Sequence, residues 1–307
     1  MMGVWERRSE KSQSLQYVKR ATYDTCMKAV MENGLQLWHV EHQTRELCIA
    51  AVSQNGLALM YVKNKTKEIC MMAVRQNEYA MEYVDGQTRL NYQEIAMEAV
   101  KKTGHVLFHV KNQTEEICIA AVMQDGYALK YVKNQTPAIC NAAVMQTPYA
   151  IAHVKDQPED LCIYAVSING SIIQSINVHT LNVCLAAVRQ NGYAIEYIKD
   201  PEKYDTNERI IITSEEYDLL CIEAMRQNVY ALSYVKNKTE KIYLEALKQN
   251  GALLSHIENQ TLEMCMIALM NPVFESVFPI YDTVSDKLVM VRDLRLRETC
   301  RRKLKRM

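Results

Sequence analysis

The chain has no apolar run approaching the ~18 residues that a membrane-crossing helix requires. Its first residues, MMGVWERRSEKSQ, lack the apolar segment of a secretory signal. The expectation is a chain without a transmembrane segment, kept in a reducing intracellular compartment. Ten cysteines occur without one Cys-x-x-Cys pair, which removes the usual zinc signature. The formal net charge is zero, and that disfavours a surface built to neutralise a phosphate backbone. No nucleophile–base pair, phosphate loop or metal-ligand spacing stands out. The reading is therefore of a non-enzyme with no cofactor and no metal. Glycine is scarce, nine in 307 residues, and the few present are not scattered.

Seven of those nine glycines, Gly34, Gly56, Gly104, Gly126, Gly170, Gly192 and Gly251, occupy one position of a repeated unit. Numbered from its cysteine as position 0, the unit reads C-x-x-A-V-x-Q-N-G-x-A-L-x-Y-V-K-N-Q-T-x-E-I. Position 0 falls at Cys26, Cys48, Cys70, Ala96, Cys118, Cys140, Cys162, Cys184, Cys221, Tyr243 and Cys265. Eight of the ten intervals are 22 residues, one carries four more and one fifteen more. A fixed period of this length marks a solenoid or array.

In TEEICIAAVMQ, Thr114 is suited to cap a helix, and Glu115 and Glu116 suit its first turn. Ile117, Cys118, Ala121 and Val122 form a stripe at helical period. The following Asp125-Gly126, elsewhere Asn-Gly, is expected to stop that helix with glycine in the left-handed conformation. Tyr127, Ala128, Leu129, Tyr131 and Val132 predict a second, shorter helix at the same period, and Asn134-Gln135-Thr136 a turn into the next unit. Leucine-rich alternation about a strand is absent. Helices this short are marginal alone, so the expectation is an all-α solenoid of about eleven helix-turn-helix repeats with capping helices at both ends. The expected layout is an N-terminal cap and half repeat in 1–22, one repeat domain over 23–281 and a C-terminal cap with a basic tail in 282–307. Insertions are placed near 88–95 and 200–216, the second containing strand-like Arg209 to Thr213.

The cysteines read as small buried hydrophobes with reduced thiols. Histidines His39, His109, His153 and His256 take position 13, where tyrosine is usual, and read as structural substitutes. Tyrosines at positions 9 and 13, as in Tyr127 with Tyr131, read as packing in preference to base stacking. Position 15 carries a lysine row, Lys63, Lys111, Lys133, Lys155, Lys199 and Lys236, interrupted by Glu41, Asp85 and Glu258. It reads as a solvated face that an acidic partner would track. Positions 2, 5, 12 and 15 differ between units, and position 12 includes Trp38, Met60 and Phe108. If exposed, these mark an interaction surface; if buried, they are extra packing.

The unit A-V-x-Q-N-G-x-A-L-x-Y-V-x-N-Q-T, traceable from about Leu15 to Phe278, resembles a helical short-repeat family of unknown function. That family is abundant in giant viruses of amoebae and in some amoeba-dwelling bacteria. The resemblance implies helical repeats, a viral or effector origin and action inside a host cell or virion, with no active site to carry over. The function expected is a scaffold binding another protein. The alternatives are nucleic-acid or membrane contact through the basic tail, whose candidates are Arg301, Arg302, Lys303, Lys305 and Arg306, and a structural part of a virion or homo-oligomer. Residues 291–307 hold eight basic and two acidic side chains.

Overall fold

A computed structural model describes residues 22–84, 91–199 and 212–271. The chain forms two compact units, Met1–Lys155 and Asp156–Met307. The period does not announce that division, because the Cys140 to Cys162 interval is an ordinary 22 residues. Within each unit the architecture is an all-α solenoid of repeats. The first unit contains α1 (Tyr23–Glu32), α2 (Arg45–Gln54), α3 (Lys67–Gln76), α4 (Tyr92–Lys102), α5 (Glu115–Gln124) and α6 (Pro137–Gln146). The second contains α7 (Glu159–Ile168), α8 (Leu181–Gln190), α9 (Ser214–Gln227), α10 (Glu240–Gln249) and α11 (Leu262–Met270). Among the described residues there is no helix long and apolar enough to cross a membrane.

The α-helices start and pack as their sequences require. Thr114 Oγ1 accepts from the Ile117 N–H at 3.4 Å, and Thr44 Oγ1 from Leu47 at 3.3 Å, each satisfying one orphan donor of a first turn. Pro158 replaces the capping threonine of α7 and forms no side-chain cap bond. Ile117, Cys118, Ala121 and Val122 are all buried, as are their counterparts Ile69, Cys70, Ala73 and Val74. A fully buried aliphatic side chain of this kind contributes about 1.5–3 kcal/mol.

The second helix of each unit differs in type from the sequence expectation. It is a six-residue 3-10 helix, for example Gly126–Tyr131 and Gly170–Ser175. In most units the residue before position 8 supports that turn, although Gly104–His109 and Pro148–His153 take the same form after Thr103 and Thr147, which make no side-chain cap bond. Asn55 is extended (φ −147°, ψ 110°), and its Oδ1 accepts from the Leu57 N–H at 3.0 Å. An Asx bond of this form initiates a tight turn. The same asparagine closes α2 by donating its backbone N–H to the Ala51 carbonyl at 2.9 Å. One residue thus ends the α-helix and begins the 3-10 helix.

The glycine expectation is overturned. No described glycine has a positive φ. The position is restricted by space. A Cβ on Gly34 would lie 2.3 Å from the Ala51 carbonyl oxygen of the next unit, and one on Gly126 2.6 Å from that of Ala143. The backbone of one unit rests directly on the α-helix of the next. The glycine N–H is satisfied across the same gap. Gly34 donates to Gln54 Oε1 at 2.7 Å, Gly126 to Gln146 at 2.7 Å and Gly170 to Gln190 at 2.6 Å. Gln54 Nε2 in turn donates to the Glu32 carbonyl at 3.3 Å.

In the unit of Cys70 both the glycine and its partner are replaced. Glu78 stands at position 8, and position 6 of the following unit is Lys102. Their charged groups meet at 2.8 Å, and Thr103 Oγ1 also donates to Glu78 at 2.9 Å. Burial pushes the Glu78 carboxyl up, and the bonds from Lys102 and Thr103 more than offset it, leaving it below the usual range.

A second carboxamide joins adjacent units at the Asn-Gln-Thr turn. Gln113 Nε2 donates to the Tyr131 carbonyl at 3.0 Å, and its Oε1 accepts from the Lys133 N–H at 3.0 Å. Gln43 bonds Tyr61 and Lys63 in the same way, Gln135 bonds His153 and Lys155, and Gln157 bonds Ser175 and Asn177. In α4 the Tyr92 hydroxyl takes the acceptor role, receiving the Lys111 N–H at 2.7 Å.

Both expected insertions are shorter than their assigned ranges. Residues 92–95 lie in α4 and 214–216 in the first turn of α9, where Thr213 and Glu216 form a reciprocal capping box. The excess is absorbed partly by earlier helix starts. Of the strand-like segment, Ile212 is buried and Thr213 is the cap. The rest of both insertions, the N-terminal cap before Thr22 and the C-terminal segment beyond Asn271 lie outside the described residues.

Gly126→Ala is expected to destabilise the first unit by about 1–3 kcal/mol through overpacking, and Gln135→Ala by about 1–3 kcal/mol through two stranded backbone groups. Urea unfolding followed by circular dichroism checks both. A neutral Gly126→Ala would show that the close approach does not constrain the position.

Candidate interaction surface

Three residues per turn change which side chains share a face. In a 3-10 helix residues i and i+3 eclipse, so position 9 aligns with position 12 and not with position 13. In the first unit this aligns Leu35 with Trp38, Leu57 with Met60, Tyr79 with Glu82, His105 with Phe108 and Tyr127 with Lys130. Trp38 is 67% exposed and Phe108 66%, while Met60 and Tyr79 are also exposed. The three position-12 candidates therefore stand on the outward side of their 3-10 helices.

The rings are ordered by their neighbours. Trp38 packs edge-on against Tyr61 with centroids 5.2 Å apart, and Phe108 against Tyr131 at 5.5 Å. His105 meets Tyr131 at 5.6 Å, Tyr79 meets His109 at 6.0 Å and Tyr127 meets His153 at 6.1 Å. The rule is that a ring at position 9 or 12 leans on the ring at position 13 of the following unit. Such contacts contribute about 0.5–1.5 kcal/mol each beyond area burial. Histidine at position 13 keeps an aromatic edge in the ladder, which accounts for His109 and His153. Lys130 Nζ lies 4.7 Å from the Tyr131 ring centroid, within cation–π range. The second unit has the same contact between Tyr193 and Tyr234 at 5.6 Å.

The lysine row is held against the frame. Lys63 Nζ donates to the Glu41 carbonyl at 2.7 Å, Lys133 to Lys111 at 2.9 Å and Lys155 to Lys133 at 3.2 Å. Each ammonium reaches back to the position-15 carbonyl of the preceding unit. Lys111 is exposed, with its backbone N–H bound by Tyr92. In the second unit Lys199 is half-buried and Lys236 exposed. Lys63, Lys133 and Lys155 thus combine a structural bond with a solvated charge. Arg301, Arg302, Lys303, Lys305 and Arg306 lie outside the described residues.

The α-helical side of the second unit carries a different pattern. Arg189, Glu223, Arg226, Glu245 and Lys248 alternate in charge and pair in sequence at 3.2, 2.7, 3.0 and 3.0 Å. Burial raises the Glu245 carboxyl, and bonds from Arg226 and Lys248 outweigh it, so the group ends below its usual range. The equivalent positions of the first unit hold Arg75 and Glu98 at 2.9 Å. Met123 and Met145 are exposed at the same position as Arg75.

Among the described residues nine cysteines are free and buried. Cys48 Sγ donates to Gln43 Oε1 at 3.7 Å and Cys118 Sγ to Gln113 at 3.9 Å, the same carboxamides that join the units. Burial pushes the Cys118 and Cys162 thiols up to about 11 and Cys184 to about 12. They are poor nucleophiles at neutral pH. Cys300 lies outside the described residues.

Sequence reasoning singled out the position-12 side chains but left their exposure open, and it missed the glutamines at positions 6 and 17. Their signal was the recurrence of glutamine where any polar residue would serve a solvated turn. Residues 44–89 and 92–136 each match the family described as a domain of unknown function (DUF4116). The first stretch contains α2 and α3 with their 3-10 helices, and the second α4 and α5 with theirs. One family domain thus equals two of the 22-residue units. No curated protein matches the chain, and no solved structure does.

A thiol whose folded value is raised contributes stability that is complete below its unfolded value near 9 and is lost as pH rises through 11–12. Denaturant titrations should therefore show stability falling above pH 9, with Cys184→Ala flattening that fall. A stability curve unaffected by Cys184→Ala between pH 9 and 12 would remove the thiol from this account.

Proposed function

We propose that the chain is a non-enzymatic repeat scaffold that binds a protein through the 3-10 face of its first unit. The observation that carries this reading is the exposure of Trp38 and Phe108, at 67% and 66%, on positions that folding leaves free. Aromatic side chains presented in this way are favoured anchors of protein interfaces. Each ring is already braced by a tyrosine of the next unit, so little rotamer freedom is lost on binding. Met60 lies on the same face, and Lys63, Lys111, Lys133 and Lys155 supply positive charge beside it. Lys199 and Lys236 belong to the equivalent row of the second unit.

The wider setting rests on sequence resemblance and on the unpaired thiols. We place the chain in a reducing intracellular compartment, with a viral or host-directed role. Contact with nucleic acid through the basic tail and a structural place in a virion or homo-oligomer are the competing roles.

The test is affinity capture with the full chain, compared with a Trp38→Ala, Phe108→Ala double variant. A defined protein recovered by the parent and reduced at least tenfold by the double variant, at unchanged thermal stability, supports the proposal. Equal recovery overturns it. Salt-sensitive binding of single-stranded RNA that disappears on deleting 291–307 would assign function to the tail instead.

A further inference from the structure

The second unit contains one place where three departures from the repeat meet. Val229 stands at the glycine position, Lys238 at the turn glutamine and Tyr243 at the cysteine. All three line a cavity of about 720 Å³, together with Leu232, Leu253, His256, Ile257, Glu258 and Met264. The cause of the opening is steric. Gly170 and Gly192 sit so close to the next α-helix that a Cβ would approach a carbonyl oxygen to 2.4 and 2.6 Å. Valine cannot make that approach, so the 3-10 helix Val229–Tyr234 stands away from α10.

The consequence is chemical. In four other units a glutamine carboxamide joins the position-13 carbonyl to the position-15 N–H, with bonds between 2.8 and 3.0 Å. Here the corresponding groups are the His256 carbonyl and the Glu258 N–H. Lys238 does not serve them. Its ammonium turns back to the Val235 carbonyl at 2.7 Å. A lysine has no acceptor for an N–H in any case. His256 and Glu258 are both exposed, so these two groups, which no carboxamide of the chain joins here, are open to a ligand. Among the described residues, neighbouring Thr239 has a buried hydroxyl without a hydrogen-bond partner.

We propose that this cavity binds a small molecule carrying a primary carboxamide on an apolar body. The carboxamide supplies the donor and acceptor that glutamine supplies elsewhere, and the body packs against Leu232, Leu253, Ile257 and Met264. The size suits such a ligand.

Benzamide is the probe. Titrated into the isotope-labelled full chain, it should shift the Glu258 amide resonance. N,N-dimethylbenzamide, which has no N–H to donate to His256, should bind at least tenfold more weakly. Lys238→Gln should place the chain's own carboxamide in the site, raise the melting temperature and weaken benzamide at least tenfold. Val229→Gly should narrow the cavity and weaken it as well. An unmoved Glu258 amide overturns the proposal. Equal affinity for the dimethyl analogue, or undiminished benzamide binding by a folded Lys238→Gln chain, does the same.

Discussion

Each unit of this protein depends on the next for its backbone hydrogen bonds. A 22-residue segment of one short α-helix and one 3-10 helix ends with unpaired amides and carbonyls, and a buried group left so costs about 1–3 kcal/mol. Two glutamines from neighbouring units satisfy them. One receives the glycine N–H; the other joins the carbonyl and amide at the end of the 3-10 helix. Apolar burial supplies the larger favourable energy, but it is not directional. The carboxamides set the register between layers, and the absent glycine side chain sets their separation.

This arrangement explains why the repeat is rigid at some positions and free at others. Ala121 and Ala143 at position 3 are small and fully buried, and their carbonyls receive the neighbouring glycine. Cysteine at position 0 fits the remaining space and donates to the turn glutamine. Positions 9 and 12 face outward, limited only by contact with the next aromatic ring. The exchange of Gly-Gln for Glu78-Lys102 keeps a donor and an acceptor paired across the layer with different residues.

Much of the fold was legible in the sequence. The period, the threonine caps and the apolar stripe of the α-helix led to an all-α repeat with its cysteines inside. The reading erred on local conformation. Asparagine followed by glycine terminates many helices through a left-handed residue, and Asn55-Gly56 has that composition. The distinction depends on the Ala73 carbonyl, which a Cβ on Gly56 would approach to 2.4 Å, and no local pattern reveals a group in the next layer. The candidate surface suffered from the same error. A 3.6-residue period pairs Tyr127 with Tyr131, whereas three residues per turn pair Tyr127 with Lys130 and send Tyr131 to meet Phe108. Exposure of Trp38 depended on knowing that turn.

The glutamine–glycine joint also bears on how such a chain lengthens. The regular segments carry an acceptor for the segment before and a donor for the one after, 20 residues apart in most and 35 apart between Gly192 and Gln227. Copying or deleting one whole segment leaves both ends matched, so the array can gain or lose members in evolution without a compensating change elsewhere.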